Sequence, residues 1–149
     1  ITTGNEVYNG IIKDKSKESL EIKYEKYGIS GIEQVFSRDD KEMIKEYIKN
    51  FEKEKDIIMC TGGMSVDPDD VTPSAIRESG WEIVTYGTPV LPGAMFMLAY
   101  KREKVLLRLP GGVVFSEKTV FDVLLPRILA GDRITKEEIT EMGHGGLLG

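Results

Sequence analysis

Residues 56–73 read D-I-I-M-C-T-G-G-M-S-V-D-P-D-D-V-T-P. The apolar run Ile57 to Cys60 predicts a short strand that is buried on both faces of a sheet. The pair Gly62-Gly63 predicts a sharp turn at the end of this strand, where backbone N–H groups can come close to an anion. Pro73 suits the first position of a helix, with Thr72 as its cap. The stretch therefore predicts a strand, a glycine turn and a helix in succession, with the turn where open α/β sheets bind their ligands.

A cluster of carboxylates follows the glycine turn, at Asp67, Asp69 and Asp70. Glycine amides attract anions, whereas aspartates repel them. A divalent cation held between the carboxylates and a phosphate would reconcile the two, and Mg²⁺ is the usual choice. The alternative interpretation is a glycine turn followed by a solvated acidic loop, and this stretch alone leaves both open.

Length and composition set the limits on fold and partners. With 149 residues, the chain predicts one domain, 1–149, with a hydrophobic core. A net charge of -5 argues against a nucleic-acid or membrane-surface role, and no apolar run approaches the roughly 20 residues of a membrane span. The lone Cys60 cannot form an internal disulfide, so we expect a reducing, cytoplasmic location. Because Ile1 begins what reads as the end of a strand, we also expect an excerpt of a longer chain.

The rest of the sequence alternates between strand and helix patterns, which predicts a three-layer α/β/α sandwich. Strands 95–100 and 105–109 are joined by a short charged loop and predict antiparallel neighbours, so we expect a mostly parallel, mixed central sheet. Pro126 is expected to kink or split the helix in which it lies. The other predicted strands are 32–36 and 81–86, and the predicted helices are 17–27, about 41–55, 73–79, 115–130 and 135–142. Met95, Phe96 and Met97 are candidates for an oligomer interface, with a core strand as the alternative.

Four glycine-containing turns follow predicted strands, at Gly4, Gly62-Gly63, Gly93 and Gly111-Gly112. If those strands are parallel, their carboxyl ends meet at one edge of the sheet. The sequence thus predicts that several of these turns line a single crevice.

An ordered set of motifs carries a resemblance to a known family. The motifs are Thr3-Gly4-Asn5-Glu6, Arg38-Asp39-Asp40, Thr61-Gly62-Gly63-Met64-Ser65-Val66, Asp70-Val71-Thr72-Pro73, Leu91-Pro92-Gly93 and Leu109-Pro110-Gly111. Together they cover nearly the whole chain and resemble the molybdopterin-binding domain shared by MoeA, MogA and gephyrin, most closely the MoeA-like proteins. The resemblance implies a role in molybdenum cofactor biosynthesis.

The resemblance also implies a set of site residues. The phosphate-binding turn would be Thr61, Gly62 and Gly63, and further pocket positions would be Glu6, Ser65, Pro110 and Gly111. Asp39 and Asp70 would be catalytic and would serve as Mg²⁺ ligands. The alternative for both aspartates is helix capping, in which the carboxylate stabilises exposed backbone amides and has no catalytic part.

The resemblance leaves several activities open. In this family the MogA type adenylylates molybdopterin with Mg-ATP, and the MoeA type inserts molybdate. A carrier that binds molybdopterin without chemistry is the alternative, because Ala94 stands where many MoeA-type domains have a lysine. CinA-type relatives suggest a nucleotide pyrophosphate hydrolase instead. Family members assemble as dimers or trimers, so we expect a homo-oligomer whose ligands are a pterin and a nucleotide.

Overall fold

The computed structural model describes residues 1–62, 71–86 and 96–144, without the side chains of Tyr86 and His144. In these residues the strands are β1 (Thr2–Thr3), β2 (Phe36–Ser37), β3 (Ile57–Gly62), β4 (Glu82–Tyr86), β5 (Met97–Lys101) and β6 (Lys104–Leu109). The helices are α1 (Asn5–Tyr8), α2 (Ser16–Glu25), α3 (Lys41–Glu54), α4 (Thr72–Glu78), α5 (Gly111–Val114), α6 (Val120–Leu129) and α7 (Lys136–His144).

The six strands form one sheet in the order β2-β1-β3-β6-β5-β4. β2, β1, β3 and β6 pair in parallel, and β5 pairs antiparallel with both β6 and β4. One apolar cluster joins the sheet to α2, α5, α6 and α7, and a second joins the other face to α3 and α4. The predicted three-layer α/β/α architecture with a mostly parallel, mixed sheet is therefore confirmed.

Strands β5 and β6 supply the centre of both clusters. Leu98 and Leu107 are fully buried on the α2 and α6 side, whereas Met97 and Leu106 are fully buried on the α3 and α4 side. Phe96 is also fully buried. The proposed interface role is thus wrong for Phe96 and Met97, which are core residues, and Met95 lies outside the described residues.

Helix α3 is strongly amphipathic and packs against the sheet through its apolar face. Ile44 and Ile48 lie one turn apart and are fully buried against the sheet, while the Lys- and Glu-rich face is solvated. Asp40 caps the helix, because its carboxylate accepts hydrogen bonds from the N–H groups of Glu42 and Met43 at 2.9 and 3.2 Å. The predicted helix and its end near Lys55 are confirmed.

Two predicted helix starts are wrong. The cap of α4 is Val71, and Thr72 is already the first helical residue, with Pro73 second. The long helix predicted over 115–130 begins at Val120, because Thr119 and Asp122 form a reciprocal capping box that starts a new helix there. Gly111–Val114 forms the separate short helix α5, and residues 115–119 are not helical.

Pro126 lies inside α6 and does not split it. The predicted helix is instead interrupted before Val120, where a polar contact holds the non-helical residues 115–119 in place. The Lys23 ammonium of α2 donates to the carbonyl of Ser116 at 2.8 Å and to the Asp122 carboxylate at 2.6 Å. This contact ties α2 to the start of α6.

The strand predicted over 32–36 is much shorter in the structure, since only Phe36 of that range belongs to β2. Residues 30–35 form no strand and have no regular pairing in the sheet. In the described ranges, no helix combines the length and the apolar character needed to cross a membrane.

Candidate functional site

The carboxyl ends of four parallel strands meet at one edge of the sheet. Thr3 of β1 is in register with Ser37 of β2 and with Gly62 of β3, and Thr61 is in register with Leu109 of β6. The turns that follow these strands therefore begin side by side. They carry Glu6, Asp39, Gly62, Pro110 and Gly111, all of which the sequence had marked as site residues.

Gly62 ends β3 in a left-handed conformation with φ of 76°. A Cβ at this position would lie 2.2 Å from the carbonyl oxygen of Thr3, which is far closer than real Cβ contacts allow. The fold itself therefore requires glycine here, because only glycine lets β1 and β3 approach this closely while the chain turns.

The Thr61 hydroxyl belongs to a buried network and not to the open edge. It shares hydrogen bonds with the hydroxyls of Thr2 at 2.8 Å and Ser16 at 3.3 Å. Thr61 is only 5% exposed, so its side chain joins β3 to β1 and to the start of α2. For a ligand at the edge, the backbone of Thr61 is the relevant part.

The same network continues to Asp14. Its carboxylate accepts from the Ser16 hydroxyl at 2.8 Å and from the Gln34 amide at 2.7 Å, and that amide also donates to the Thr2 hydroxyl at 2.8 Å. Burial alone raises the pKa of Asp14, but the hydrogen bonds from Gln34 and Ser16 outweigh it, so the pKa lies below its ordinary value. The ionised Asp14 thus fixes Ser16 and Gln34, whose side chains hydrogen-bond to Thr61 of β3 and Thr2 of β1.

Asp39 and Asp40 have different surroundings. The Asp39 N–H donates to the Asn5 side-chain oxygen at 3.1 Å, which joins the turn after β2 to the turn after β1. Asp39 is exposed, and its carboxylate makes no hydrogen bond to any residue that the structure describes. Because Asp40 caps α3, helix capping does not account for Asp39.

Glu6 and Gly111 lie on the first turns of α1 and α5. Glu6 is exposed, and its backbone carbonyl accepts from the N–H groups of Ile11 and Ile12 at 2.8 and 3.3 Å. Gly111 follows Pro110, the cap residue of α5, and among the described residues a Cβ there would meet only the Phe115 ring, at 3.9 Å. Unlike Gly62, Gly111 is not required by the packing of the described residues, which leave space beside it.

Three of the sequence-predicted site residues, Gly63, Ser65 and Asp70, lie outside the described residues, as does Ala94. Within the described ranges, no group of three or more His, Cys, Asp or Glu side chains is arranged to hold a metal ion. Of the two expected Mg²⁺ ligands, Asp39 and Asp70, only Asp39 is among the described residues, and its assignment as a ligand stays a prediction.

Arg108 is a residue that the sequence analysis missed. It is the penultimate residue of β6, in register with Cys60 and Met97, and it is only 1% exposed on the α3 and α4 side of the sheet. Burial raises the pKa of Cys60, and the charge of Arg108 acts in the opposite direction. The signal in the sequence was a single charge within the apolar run 105–109, at the end of a strand that leads to the edge.

Comparison with known proteins places these features in a family. A family model described as "Probable molybdopterin binding domain" matches residues 1–130. A protein of Methanocaldococcus jannaschii named for molybdopterin biosynthesis is 35% identical over 79 residues, which are 53% of this chain and 20% of that protein. A CinA-like protein of Petrotoga mobilis is 37% identical over 79 residues, again 53% of this chain and 20% of that protein. The match thus spans about a fifth of these curated relatives.

Solved structures agree on the fold. CinA from Thermoplasma acidophilum superposes with a TM-score of 0.70 at 14% identity, covering 85% of this chain and 94% of that chain. The molybdopterin biosynthesis MoeA protein from Pyrococcus horikosii superposes with a TM-score of 0.68 at 27% identity, covering 86% of this chain and 33% of that chain. The first likeness concerns the fold alone.

Proposed function

Since this chain belongs to the molybdopterin-binding domain family, we propose that it binds molybdopterin at the carboxyl edge of its sheet and acts in molybdenum cofactor biosynthesis. The observation that carries the proposal is the side-by-side start of the turns after β1, β2, β3 and β6. A ligand with a pterin at one end and a phosphate at the other can contact several turns of such a row at once, and open α/β sheets bind their ligands at this edge.

The turns supply different kinds of contact in this proposal. Backbone N–H groups at Gly62-Gly63 and at Gly111 receive the terminal phosphate, because glycine allows the backbone to approach closely and aim its donors outward. Thr61 contributes through its backbone, and Glu6, Ser65 and Pro110 complete the pocket. The space that the described residues leave beside Gly111 supports this assignment.

The chemistry we propose is adenylylation of molybdopterin. The terminal phosphate attacks the α-phosphorus of ATP, and pyrophosphate leaves. Both partners are anionic, so positioning and charge neutralisation carry most of the catalysis. Asp39 and Asp70 would hold Mg²⁺, which would supply the neutralising charge between the phosphates. The exposed carboxylate of Asp39, which is not used as a helix cap, suits this role.

The test compares two neighbouring aspartates of one turn. Asp39→Asn and Asp40→Asn each remove one negative charge, and asparagine caps a helix about as well as aspartate, so both variants should fold. Each is titrated calorimetrically with molybdopterin, with and without Mg-ATP, and pyrophosphate release is followed in parallel. We expect Asp39→Asn to lose about tenfold or more in Mg-dependent turnover and Asp40→Asn to retain it, with Asp70→Ala behaving like Asp39→Asn.

The outcomes separate the alternatives. Molybdopterin binding without nucleotide consumption would exclude adenylylation and leave a carrier, or a domain that inserts molybdate into a pterin already adenylylated. Absence of molybdopterin binding to the wild type would reject the proposal as a whole.

A second candidate is hydrolysis of a nucleotide pyrophosphate, the activity that the resemblance to CinA-type relatives implies, and a CinA-like protein is among the relatives that match this chain. The same edge would then bind a diphosphate, and Asp39 would again serve the metal. Release of a mononucleotide from a dinucleotide pyrophosphate, in a protein that ignores molybdopterin, would support this candidate.

A further inference from the structure

The turns that the structure describes at the carboxyl edge carry more negative than positive charge. In the first five residues after β1, β2 and β6, the cations are Arg38 and Lys41, and the carboxylates are those of Glu6, Asp39, Asp40 and Glu42. The Lys41 ammonium is bound to the Glu78 carboxylate of α4 at 2.8 Å. Among these described turns, Arg38 is therefore the cation that remains for an anionic ligand.

The guanidinium of Arg38 is only loosely held by its own turn. One of its nitrogens lies 3.8 Å from Oδ2 of Asp40, which is beyond hydrogen-bonding distance. Asp40 is committed to the α3 cap, since its other carboxylate oxygen accepts from the N–H groups of Glu42 and Met43. The Arg38 side chain is 54% exposed, and its guanidinium makes no hydrogen bond to the residues that the structure describes. Its N–H donors are therefore available to a ligand.

Helix α1 positions Arg38 and Asp39 together. Asn5 and Tyr8 lie three positions apart on α1 and so share one face of it. The Asn5 side-chain oxygen accepts from the Asp39 N–H at 3.1 Å, and the guanidinium carbon of Arg38 lies 5.4 Å from the centroid of the Tyr8 ring. This distance is within the range of cation–π attraction. The turn after β1 thus holds the guanidinium of Arg38 beside the backbone that carries the Asp39 carboxylate.

We propose that Arg38 binds the β- and γ-phosphates of ATP at this edge, an inference that rests on the proposed function. Asp39 is the proposed ligand of the Mg²⁺ that accompanies these phosphates, and Arg38 is its neighbour in the chain. A guanidinium presents paired N–H donors in one plane, which suit the oxygens of adjacent phosphates. The charge of Arg38 also offsets the carboxylates around it, so the edge favours a nucleotide with several phosphates over a nucleoside monophosphate.

The order of the strands favours this end of the nucleotide. Strand β1 lies between β2 and β3, so the turn after β2 begins about 10 Å from the turn after β3. In the proposed reaction, the molybdopterin phosphate at Gly62-Gly63 attacks the α-phosphorus, and the bond from that phosphorus to the bridging oxygen breaks. In-line displacement places the leaving pyrophosphate opposite the attacking oxygen. For an ATP molecule that lies along the row of turns, that side is the β2 end, where Arg38 lies.

The test measures the binding of four anions directly. Inorganic pyrophosphate, AMP, Mg-ATP and molybdopterin are each titrated calorimetrically, with Mg²⁺ present throughout. The proteins are the wild type, Arg38→Gln, Arg38→Lys, Tyr8→Leu and Arg102→Gln. Arg102 is the matched control, because it is also exposed but lies between β5 and β6, at the opposite edge of the sheet.

We expect Arg38→Gln to weaken the binding of pyrophosphate and Mg-ATP by about tenfold or more, and to change that of AMP and molybdopterin by less than about twofold. Arg38→Lys should recover only part of the loss, since it keeps the charge without the paired donors. Tyr8→Leu should weaken pyrophosphate binding by about two- to fivefold through loss of the cation–π contact. Arg102→Gln should bind like the wild type. The melting temperature of Arg38→Gln should stay within about 2 °C of the wild type, because the side chain is exposed.

The outcomes separate this inference from the proposed function. Unchanged pyrophosphate affinity in Arg38→Gln, in a protein that binds molybdopterin, would overturn the inference and leave the proposed function standing. An equal loss for all four anions would also overturn it, because Arg38 would then act on any negative charge. A wild type that binds molybdopterin but neither pyrophosphate nor Mg-ATP would overturn both the inference and adenylylation, and would leave a carrier. A wild type that binds none of the four would reject the proposed function and this inference with it.

Discussion

Replacing Gly62 with alanine should strongly destabilise the fold, for two reasons that can be separated. The first is conformational, since φ of 76° costs an L-residue about 1–2 kcal/mol. The second is steric, since the new Cβ and the Thr3 carbonyl oxygen would have to separate from 2.2 Å to beyond 3.0 Å. The Cβ is fixed rigidly to the backbone of β3 and the oxygen belongs to the backbone of β1, so no side-chain rotation relieves the contact and β1 must move away from β3. We expect a total loss of about 3–5 kcal/mol in the free energy of unfolding.

Gly28 provides a matched control. It has the same φ of 76°, and a Cβ there would meet no atom of the described residues within 4 Å. Gly28→Ala therefore carries the conformational cost alone, about 1 kcal/mol after the reduced entropy of the unfolded chain is included. In urea denaturation, we expect the midpoint to fall by roughly 2 M for Gly62→Ala and by about 0.5 M for Gly28→Ala.

The difference between the two variants measures the contact with Thr3. Equal midpoints would refute the reasoning, because they would mean that β1 relaxes away from β3 at no cost. A stable Gly62→Ala protein that still binds molybdopterin with unchanged affinity would, in addition, contradict the idea that the spacing of β1 and β3 shapes the edge.

Three further predictions concern the rest of the fold. Asp40→Ala should lower the free energy of unfolding by about 1 kcal/mol through loss of the α3 cap, whereas Asp39→Ala should leave it unchanged in the same thermal melts. Burial raises the pKa of Asp122, but the hydrogen bond from Lys23 and the contacts with Thr119 outweigh it, and the pKa is lowered. The ionised Asp122 therefore stabilises the folded protein at pH values above its usual pKa of 3.8, and this stabilisation is lost as the pH falls below that value. Asp122→Asn should therefore make the free energy of unfolding less dependent on pH in the acid range. Burial raises the pKa of Cys60, and its thiol should react with a disulfide reagent only after unfolding; fast reaction of the native protein would contradict its placement in the core.

The sequence was sufficient where local pattern and burial agree. The helix predicted over about 41–55 matches α3, and the short charged loop between β5 and β6 identified their antiparallel pairing. The start of α6 was missed because residues 115–119 carry no strong helix breaker. The interruption depends on a capping box at Thr119 and on a lysine 96 positions earlier in the chain, at Lys23. Contacts of that range are not visible in local periodicity.

The candidate site shows the same division between local and long-range information. The resemblance marked Asp39 as a site residue, with helix capping as its alternative, and only the hydrogen bonds of α3 show that Asp40 is the cap. Arg108 was missed because the other four residues of 105–109 are apolar, which suggests a core strand. Nothing in the sequence indicates which face of the sheet the Arg108 side chain lies on. That information comes from the register of β6 with β3 and β5.

The edge residues fall into two groups that mutation should distinguish. Thr61 and Gly62 build the edge, because the hydroxyl of one and the missing Cβ of the other hold β1 against β3. Asp39 and Gly111 are not needed for the packing of the described residues, since Asp39 has an exposed carboxylate and a Cβ at Gly111 would approach no described atom closer than 3.9 Å. Substitutions in the first group must therefore change stability and binding together. Substitutions in the second group should change binding or turnover alone, so a ligand effect at Asp39 without a stability effect is the stronger evidence for chemistry at this edge.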